Sequence, residues 1–450
     1  MRTIGILSAL FLGGAAPSRP DKPNLIVILA DDLGWTDLGC FGSGYYETPN
    51  IDRLAARGVK FTHAYSACTV CSPTRASLLT GRYPARLHVT DWIPGHKKPD
   101  AKLRVPAWTQ YLRPEELTLA EALREHGYAT ASMGKWHLGG EAHFPEKHGF
   151  DRNVAGTHQG QPPSYHSPYK IATLADGPAG EYLTDRLAAE AARYIEENKD
   201  RPFFLYLPHY AVHTPLQARK EKVEKYQAKA KAGGHSNAVY AAMIESMDEG
   251  VGTILAKLEE LKIAERTVVV FTSDNGGLLR ITSNAPLRAG KGSAYEGGVR
   301  VPLIVSWPGE IRAGAVCDTP AITPDLASTL LELAGVKVDA ARFVDGVSLA
   351  PLLRGKGDVK REAIYWHYPH YHPGGATPYG ALRRGSEKLI EFFEDGRCEL
   401  YDLAEDPGEA KDLAAARPER VRELMKDLAG WREAVEAQMP SGNPGFKPKK

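Results

Sequence analysis

The chain has 450 residues, with 56 Lys plus Arg against 55 Asp plus Glu and a net charge of +1. So even a balance carries no long-range field for holding a polyanion, which argues against a general nucleic-acid binder while leaving room for a local basic pocket. Hydrophobic residues at 43% and charged residues at 25% describe a folded protein, and no run offers the roughly 20 uninterrupted apolar residues of a membrane span.

Met1-Arg2, the apolar run Ile4 to Gly13 and the small residues Gly14-Ala15-Ala16, cut off by Pro17 to Pro20, read as a secretory signal peptide over residues 1–16. Export to a periplasmic, extracellular or lysosome-like compartment follows. The apolar run Asn24 to Leu29 predicts a buried strand, and it ends at Asp31-Asp32. Ser72-Pro73 and Gly81 bound a helix, with Cys71 at its positive end. A strand over 128–132 leads into Gly134-Lys135-Trp136-His137. Strand 202–207 leads into His209 and His213-Thr214-Pro215, and strand 267–271 into Ser273-Asp274-Asn275-Gly276-Gly277. Helical spacing marks 184–198 and 239–261, a strand fits 302–306, and a helix runs from Thr323-Pro324 to Gly335. Irregular stretches 93–114 and 141–180, which hold His96, His158 and His166, are long enough to be pocket walls.

Alternating strands and helices imply an α/β fold, a mostly parallel sheet with helices on both faces and ligands at the strands' carboxyl ends. We place this catalytic domain at 22–357. Beyond it the texture changes: Tyr365 to Tyr379 is a His-, Pro-, Gly- and Tyr-rich loop, strands follow at 388–393 and 398–402, and a helix at 418–438. This is a small C-terminal α+β subdomain (358–440) with a flexible tail (441–450). His367, His370 and His372 fit a pocket rim better than a zinc cluster.

Asp31, Asp32, Asp274 and Asn275 each follow a strand and so gather at one sheet edge. Three carboxylates together repel unless a cation lies between them, and an all-oxygen set suits Ca²⁺, or less well Mg²⁺. Each motif alone is also an ordinary turn. Cys71 at a helix N-terminus with Arg75 one turn on favours a bound anion; the competing reading is a small buried hydrophobe. Five cysteines (Cys40, Cys68, Cys71, Cys317, Cys398) are an odd number for an exported protein, and Cys68 and Cys71 could form a dithiol.

Cys71-Ser-Pro-Thr-Arg75 continuing to Leu79-Thr-Gly-Arg82 resembles the signature of the formylglycine-dependent sulfatases, in the alkaline phosphatase superfamily. Asp31-Asp32-Leu-Gly34, Gly134 to Gly139, His213-Thr-Pro215, Ser273 to Gly276 and Lys291-Gly-Ser293 with Glu296-Gly-Gly298 extend the resemblance over residues 24 to about 310. It implies that a maturation enzyme oxidises Cys71 to formylglycine, whose hydrate attacks the sulfur of a sulfate ester, carbohydrate or aryl. It also implies a metal site of Asp31, Asp32, Asp274, Asn275 and the modified position 71. Arg75 would orient the diol, Lys135 hold sulfate, His137 assist elimination, His213 serve the leaving oxygen and Lys291 meet an oxyanion. His209 reads as structural. A phosphate or phosphonate monoester hydrolase of the same superfamily, or a non-catalytic carbohydrate-binding relative, are the alternatives.

Overall fold

The computed structural model describes residues 22–337, 342–343 and 345–447. The signal peptide expected over 1–16 lies outside them.

Eight strands build the main sheet: β1 (Asn24–Ala30), β2 (Val59–Phe61), β3 (Ala129–Met133), β4 (Arg152–Val154), β5 (Phe203–Pro208), β6 (Thr267–Ser273), β7 (Leu303–Ser306) and β8 (Ala315–Cys317). Their order is β8-β2-β7-β6-β1-β5-β3-β4. In β1, Ile26 and Ile28 belong to one apolar core while Leu25, Val27 and Leu29 belong to the other, which is why the strand is apolar throughout rather than alternating. Helices α1 (Pro49–Ala56), α4 (Leu183–Glu197) and α5 (Ala238–Glu260) cover the first face. Helices α2 (Cys71–Thr80), α3 (Leu119–Glu125) and α6 (Asp325–Leu333) cover the second.

The strand predicted at 302–306 is β7, and it runs antiparallel to both neighbours, unlike the other pairings of the sheet. A parallel return needs a crossover to the opposite edge. The segment between β6 and β7 instead stays at the carboxyl edge and carries Lys291 into the site, so the next strand must run back.

The C-terminal subdomain is a four-stranded antiparallel sheet, β9 (Ile364–Tyr368), β10 (Tyr379–Arg384), β11 (Glu387–Phe392) and β12 (Cys398–Asp402), backed by α7 (Pro418–Ala434). The sequence reading took Tyr365 to Tyr379 for a loop. Its ends are strands because Ile364, Trp366, Tyr368 and Tyr379 supply one apolar face, packed on Tyr65, Val70 and Tyr83 of the main domain. Leu382, Leu389 and Leu400 on the other face meet Leu424 and Leu428 of α7. The tail is fastened too: Ser441–Gly442 pairs with Leu103–Arg104, and Asn443 Nδ2 donates to the carbonyls of Pro99 (2.8 Å) and Ala101 (2.7 Å).

A buried charge cluster joins the two parts. Lys388 Nζ lies 2.9 Å from both Glu296 Oε1 and Glu409 Oε1, with all three side chains inaccessible to water. Burial pushes the Glu409 carboxyl up to about 7 despite Lys388. Lys388→Met strands two carboxylates in the interior, and a loss of about 3–5 kcal/mol is expected in urea unfolding.

Candidate active site

The β1–β6 register sets the site. Ala30 lies opposite Ser273, so the next residues on each strand, Asp31 and Asp274, leave the sheet side by side. The Asp274 amide donates to Ala30 O (3.1 Å), and the Asp32 amide donates to Asp274 Oδ1 (3.2 Å). Asp32 takes a left-handed backbone (φ 61°), turning its side chain to Asn275 Nδ2 at 2.8 Å.

Helix α2 rises beneath this edge. Its first residue is Cys71, and it ends at Gly81 in the left-handed conformation, as the Ser-Pro and Gly signals predict. Every residue of α2 is buried, the Arg75 guanidinium included. Arg75 Nη2 and Nε donate to Asp274 Oδ2 at 2.7 and 3.1 Å, and Nη1 donates to Lys135 O at 2.9 Å. A buried guanidinium is tolerated only with such a filled set of acceptors.

Lys135 and His137 follow β3. Gly134 makes this approach possible: at φ 129° its missing Cβ would lie 2.0 Å from Pro208 O, and the closeness lets the Lys135 amide bond that same carbonyl (2.7 Å). Lys135 Nζ reaches Asp31 Oδ2 at 2.6 Å. His137 Nε2 donates to Ile93 O at 2.5 Å, which fixes the neutral ring with a lone pair on Nδ1; that buried atom has no partner. Burial and Lys135 hold its pKa far below the usual imidazole range.

Lys291 completes the ring of cations, with Nζ 2.6 Å from Asp32 Oδ1 and 3.6 Å from Cys71 Sγ. Burial opposes its charge, but Asp32 and Cys71 more than compensate and raise its pKa. The sequence reading missed what holds this lysine. Asn284, fully buried, accepts from Gly277 N (3.2 Å) and donates to Gly277 O (2.9 Å) and Ala289 O (3.0 Å), closing the loop that ends at Lys291. The only cue was an amide in a turn-rich Ser-Asn-Ala-Pro run.

His213 reaches the cluster with Nε2 3.6 Å from Asp32 Oδ2. Its Nδ1 donates to Thr214 O at 2.8 Å, so the neutral ring offers Nε2 as an acceptor. Burial lowers this ring to about 3, although Asp32 pulls the other way. His209 is buried with neither ring nitrogen bonded, in keeping with a structural role.

Every predicted site residue is thus brought to one carboxyl edge. The electrostatics pair three carboxylates with three cations. Burial and neighbouring Asp274 raise Asp31 to about 7, against Lys135 and Arg75. For Asp32, the burial penalty is outweighed by Lys291, His213 and Asn275, so its carboxyl is held below the ordinary range. Burial raises the Cys71 thiol despite Lys135 and Lys291. Asp31, Asp32, Cys71 and His213 each offer an atom, all within 4.8 Å of one another. Two buried oxygens, Asp31 Oδ1 and Asn275 Oδ1, have no hydrogen-bond partner. Orphaned acceptors at a carboxylate cluster fit a hard cation. Asp274 is turned mainly to Arg75, a partner that spacing could not foretell. All five cysteines are free thiols, and Cys68 and Cys71 are not joined.

Residues 23–336 match the family model described as Sulfatase, and residues 290–435 match one described as N-sulphoglucosamine sulphohydrolase, C-terminal. The chain belongs to the sulfatase family. Members hydrolyse sulfate esters. Human arylsulfatase A is 34% identical over 95% of this chain and 91% of its own length. A sulfatase of Formosa agariphila is 36% identical over 88% of this chain and 85% of its own. Among solved structures, Ps i-CgsB in complex with k-i-k-neocarrahexaose superposes with a TM-score of 0.79 at 31% identity, covering 96% of each chain. Among the described residues of this sulfatase, no helix is long and apolar enough to cross a membrane.

Proposed function

We propose that this sulfatase hydrolyses sulfate esters of carbohydrates, with Cys71 matured to formylglycine and a Ca²⁺ ion held by Asp31, Asp32, Asp274, Asn275 and position 71. The observation that carries the reading is the setting of Cys71: buried, at the first residue of an anion-favouring helix end, 3.6 Å from Lys291 Nζ, and within 4.8 Å of a ligand atom of each of Asp31, Asp32 and His213. A maturation enzyme must act on Cys71 before or during export, for which residues 1–16 provide the signal. The carbohydrate preference draws on the neocarrahexaose complex of the 31%-identical relative and on N-acetylgalactosamine-6-sulfatase of Sus scrofa, 37% identical over 97% of this chain.

Formylglycine would supply, as its hydrate, two hydroxyls on one carbon: one to displace the alcohol by breaking the ester S–O bond, the other to give up its proton so that sulfate can be expelled. Ca²⁺ supplies positive charge that lowers the proton affinity of the attacking oxygen. Lys135 and Lys291, donors fixed on opposite carboxylates, hold the sulfate oxygens and meet the charge that builds there. Arg75 anchors Asp274 and orients position 71. His137, with its lone pair on an unpartnered Nδ1, accepts the proton of the second hydroxyl. His213 serves the leaving oxygen. To donate from Nε2 as well as Nδ1 it must be the imidazolium, which Asp32 favours and burial disfavours.

That last role predicts a split. His213→Ala should lower kcat by about 10²-fold for a sugar sulfate, whose alkoxide leaves poorly, and by much less for p-nitrophenyl sulfate. Equal losses on both would remove His213 from the leaving oxygen. The reading as a whole is tested by comparing kcat/KM for matched sulfate and phosphate monoesters. Sulfate should be preferred; a preference for phosphate would move the protein to the phosphoesterase reading.

A further inference from the structure

His137, the proposed proton acceptor, has a left-handed backbone (φ 59°), a conformation in which residues other than glycine persist only where their surroundings over-determine them. Three of its polar atoms are held. Its amide donates to Thr157 O (3.0 Å), its Nε2 donates to Ile93 O (2.5 Å), and its carbonyl accepts from Ser72 Oγ (2.9 Å). The ring is confined as well: a Cβ at Gly160 would lie 2.6 Å from its Cε1, so the backbone at 160 lies against it.

Ser72 follows position 71 directly and is the second residue of α2. A serine in the opening turn of a helix ordinarily spends its hydroxyl on that helix's own amides. Here the N-cap is Val70 and no side chain caps α2. The Ser72 hydroxyl, inaccessible to water, is turned away from its own helix, to His137 O and to the Ile93 amide at 3.2 Å.

The result is a closed circuit of three hydrogen bonds, and each of its directions is dictated. The Ile93 amide can only donate, so Ser72 Oγ accepts from it. The His137 carbonyl can only accept, so it takes the single Ser72 proton. The Ile93 carbonyl can only accept, so the imidazole carries its proton on Nε2 and leaves Nδ1 with the lone pair. The turn that holds Ile93 has a second anchor. Asp91, 1% exposed, accepts from the Trp92 amide (2.9 Å), from the His96 amide (3.4 Å) and from Tyr368 OH of β9 (2.8 Å). Removing the Ser72 hydroxyl should therefore leave the turn folded while the Ile93 amide and the His137 carbonyl lose their partners.

We infer that Ser72 is a positioning residue for His137: its hydroxyl ties the helix of position 71 to the imidazole and locks the Nε2–H tautomer that keeps the Nδ1 lone pair free. The inference rests on the proposed function and adds to it a task for the neighbour of position 71. Ser72 touches neither sulfate nor sugar in this role, and acts through His137 alone.

Two readouts test it, one of them without turnover. In unmatured protein carrying ¹⁵N-histidine, long-range ¹H–¹⁵N correlation reports the His137 tautomer, its signals assigned by their loss in His137→Gln. Wild type and Ser72→Thr should show Nε2–H alone, and Ser72→Ala should show both tautomers. In matured protein, rates are expressed per formylglycine, counted on the peptide spanning residues 62–75, which separates a maturation defect from a chemical one. Ser72→Ala should then lower kcat on p-nitrophenyl sulfate by about 10- to 100-fold with KM within about twofold of wild type. An initial burst of p-nitrophenol should accompany the loss, because the alcohol departs before His137 acts. Ser72→Thr, which keeps the hydroxyl, should recover most of kcat. Nδ1–H in wild type, an unchanged Nε2–H tautomer in Ser72→Ala, or a kcat for that variant within about twofold of wild type overturns the inference. Should Ser72→Ala fail to fold, Ser72→Val against Ser72→Thr, alike in shape and different in the hydroxyl, decides by the same criteria. Wild type active on no sulfate ester defeats the proposed function, and the tautomer comparison then supports or overturns the hydroxyl lock by itself.

Discussion

Cys71→Ser is expected to lower kcat on any sulfate ester by on the order of 10⁴-fold or more, while leaving substrate binding within a few-fold. A serine oxygen at position 71 can attack sulfur, but the sulfated serine has no second hydroxyl on the same carbon from which to expel sulfate. The groups proposed to hold sulfate, Lys135 and Lys291, stay in place because their anchors are Asp31 and Asp32. Stopped turnover with retained binding is therefore the signature, read by single-turnover kinetics and by the mass of a trapped sulfated enzyme. Near-native steady-state rates in this variant would remove position 71 from the chemistry.

Loss of the cation should be nearly as severe. EGTA is expected to abolish activity, Ca²⁺ to restore it, and Asp31→Asn to lower kcat by about 10³-fold or more. Asp31 contributes an oxygen with no partner on one side and the anchor of Lys135 on the other, so the change removes the charge of a proposed ligand and loosens the lysine proposed to hold sulfate. A second readout is independent of turnover. A ligand that binds only the folded state raises stability in proportion to its concentration above Kd. Ca²⁺ should raise the melting temperature of the wild type and not that of Asp31→Asn. Equal shifts in both proteins would place the ion elsewhere.

Much of the site was legible because strand-to-loop junctions are marked in sequence. An apolar run followed by Asp-Asp or Ser-Asp-Asn-Gly fixes which edge a carboxylate occupies, and parallel pairing of β1 with β6 does the rest. Ser-Pro before α2 and Gly81 after it located Cys71 for the same reason: caps are local chemistry. What the sequence did not reveal depends on long-range partners. Nothing near Asp274 announces that Arg75, 199 positions away, takes its Oδ2, nor that Asn284 closes the Lys291 loop across seven residues to Gly277. The direction of β7 was hidden because an apolar four-residue strand reads alike in either sense. The strand β9 was hidden because alternation in Ile-Tyr-Trp-His-Tyr is masked by aromatics that serve both faces.

The central claim concerns the chemical state of one atom group. The peptide spanning residues 62–75, taken from protein produced together with a formylglycine-generating enzyme, should carry an aldehyde in place of the Cys71 CH₂–SH and form a hydrazone, in proportion to specific activity. An intact thiol at Cys71 in protein that hydrolyses sulfate esters at full rate would contradict the account.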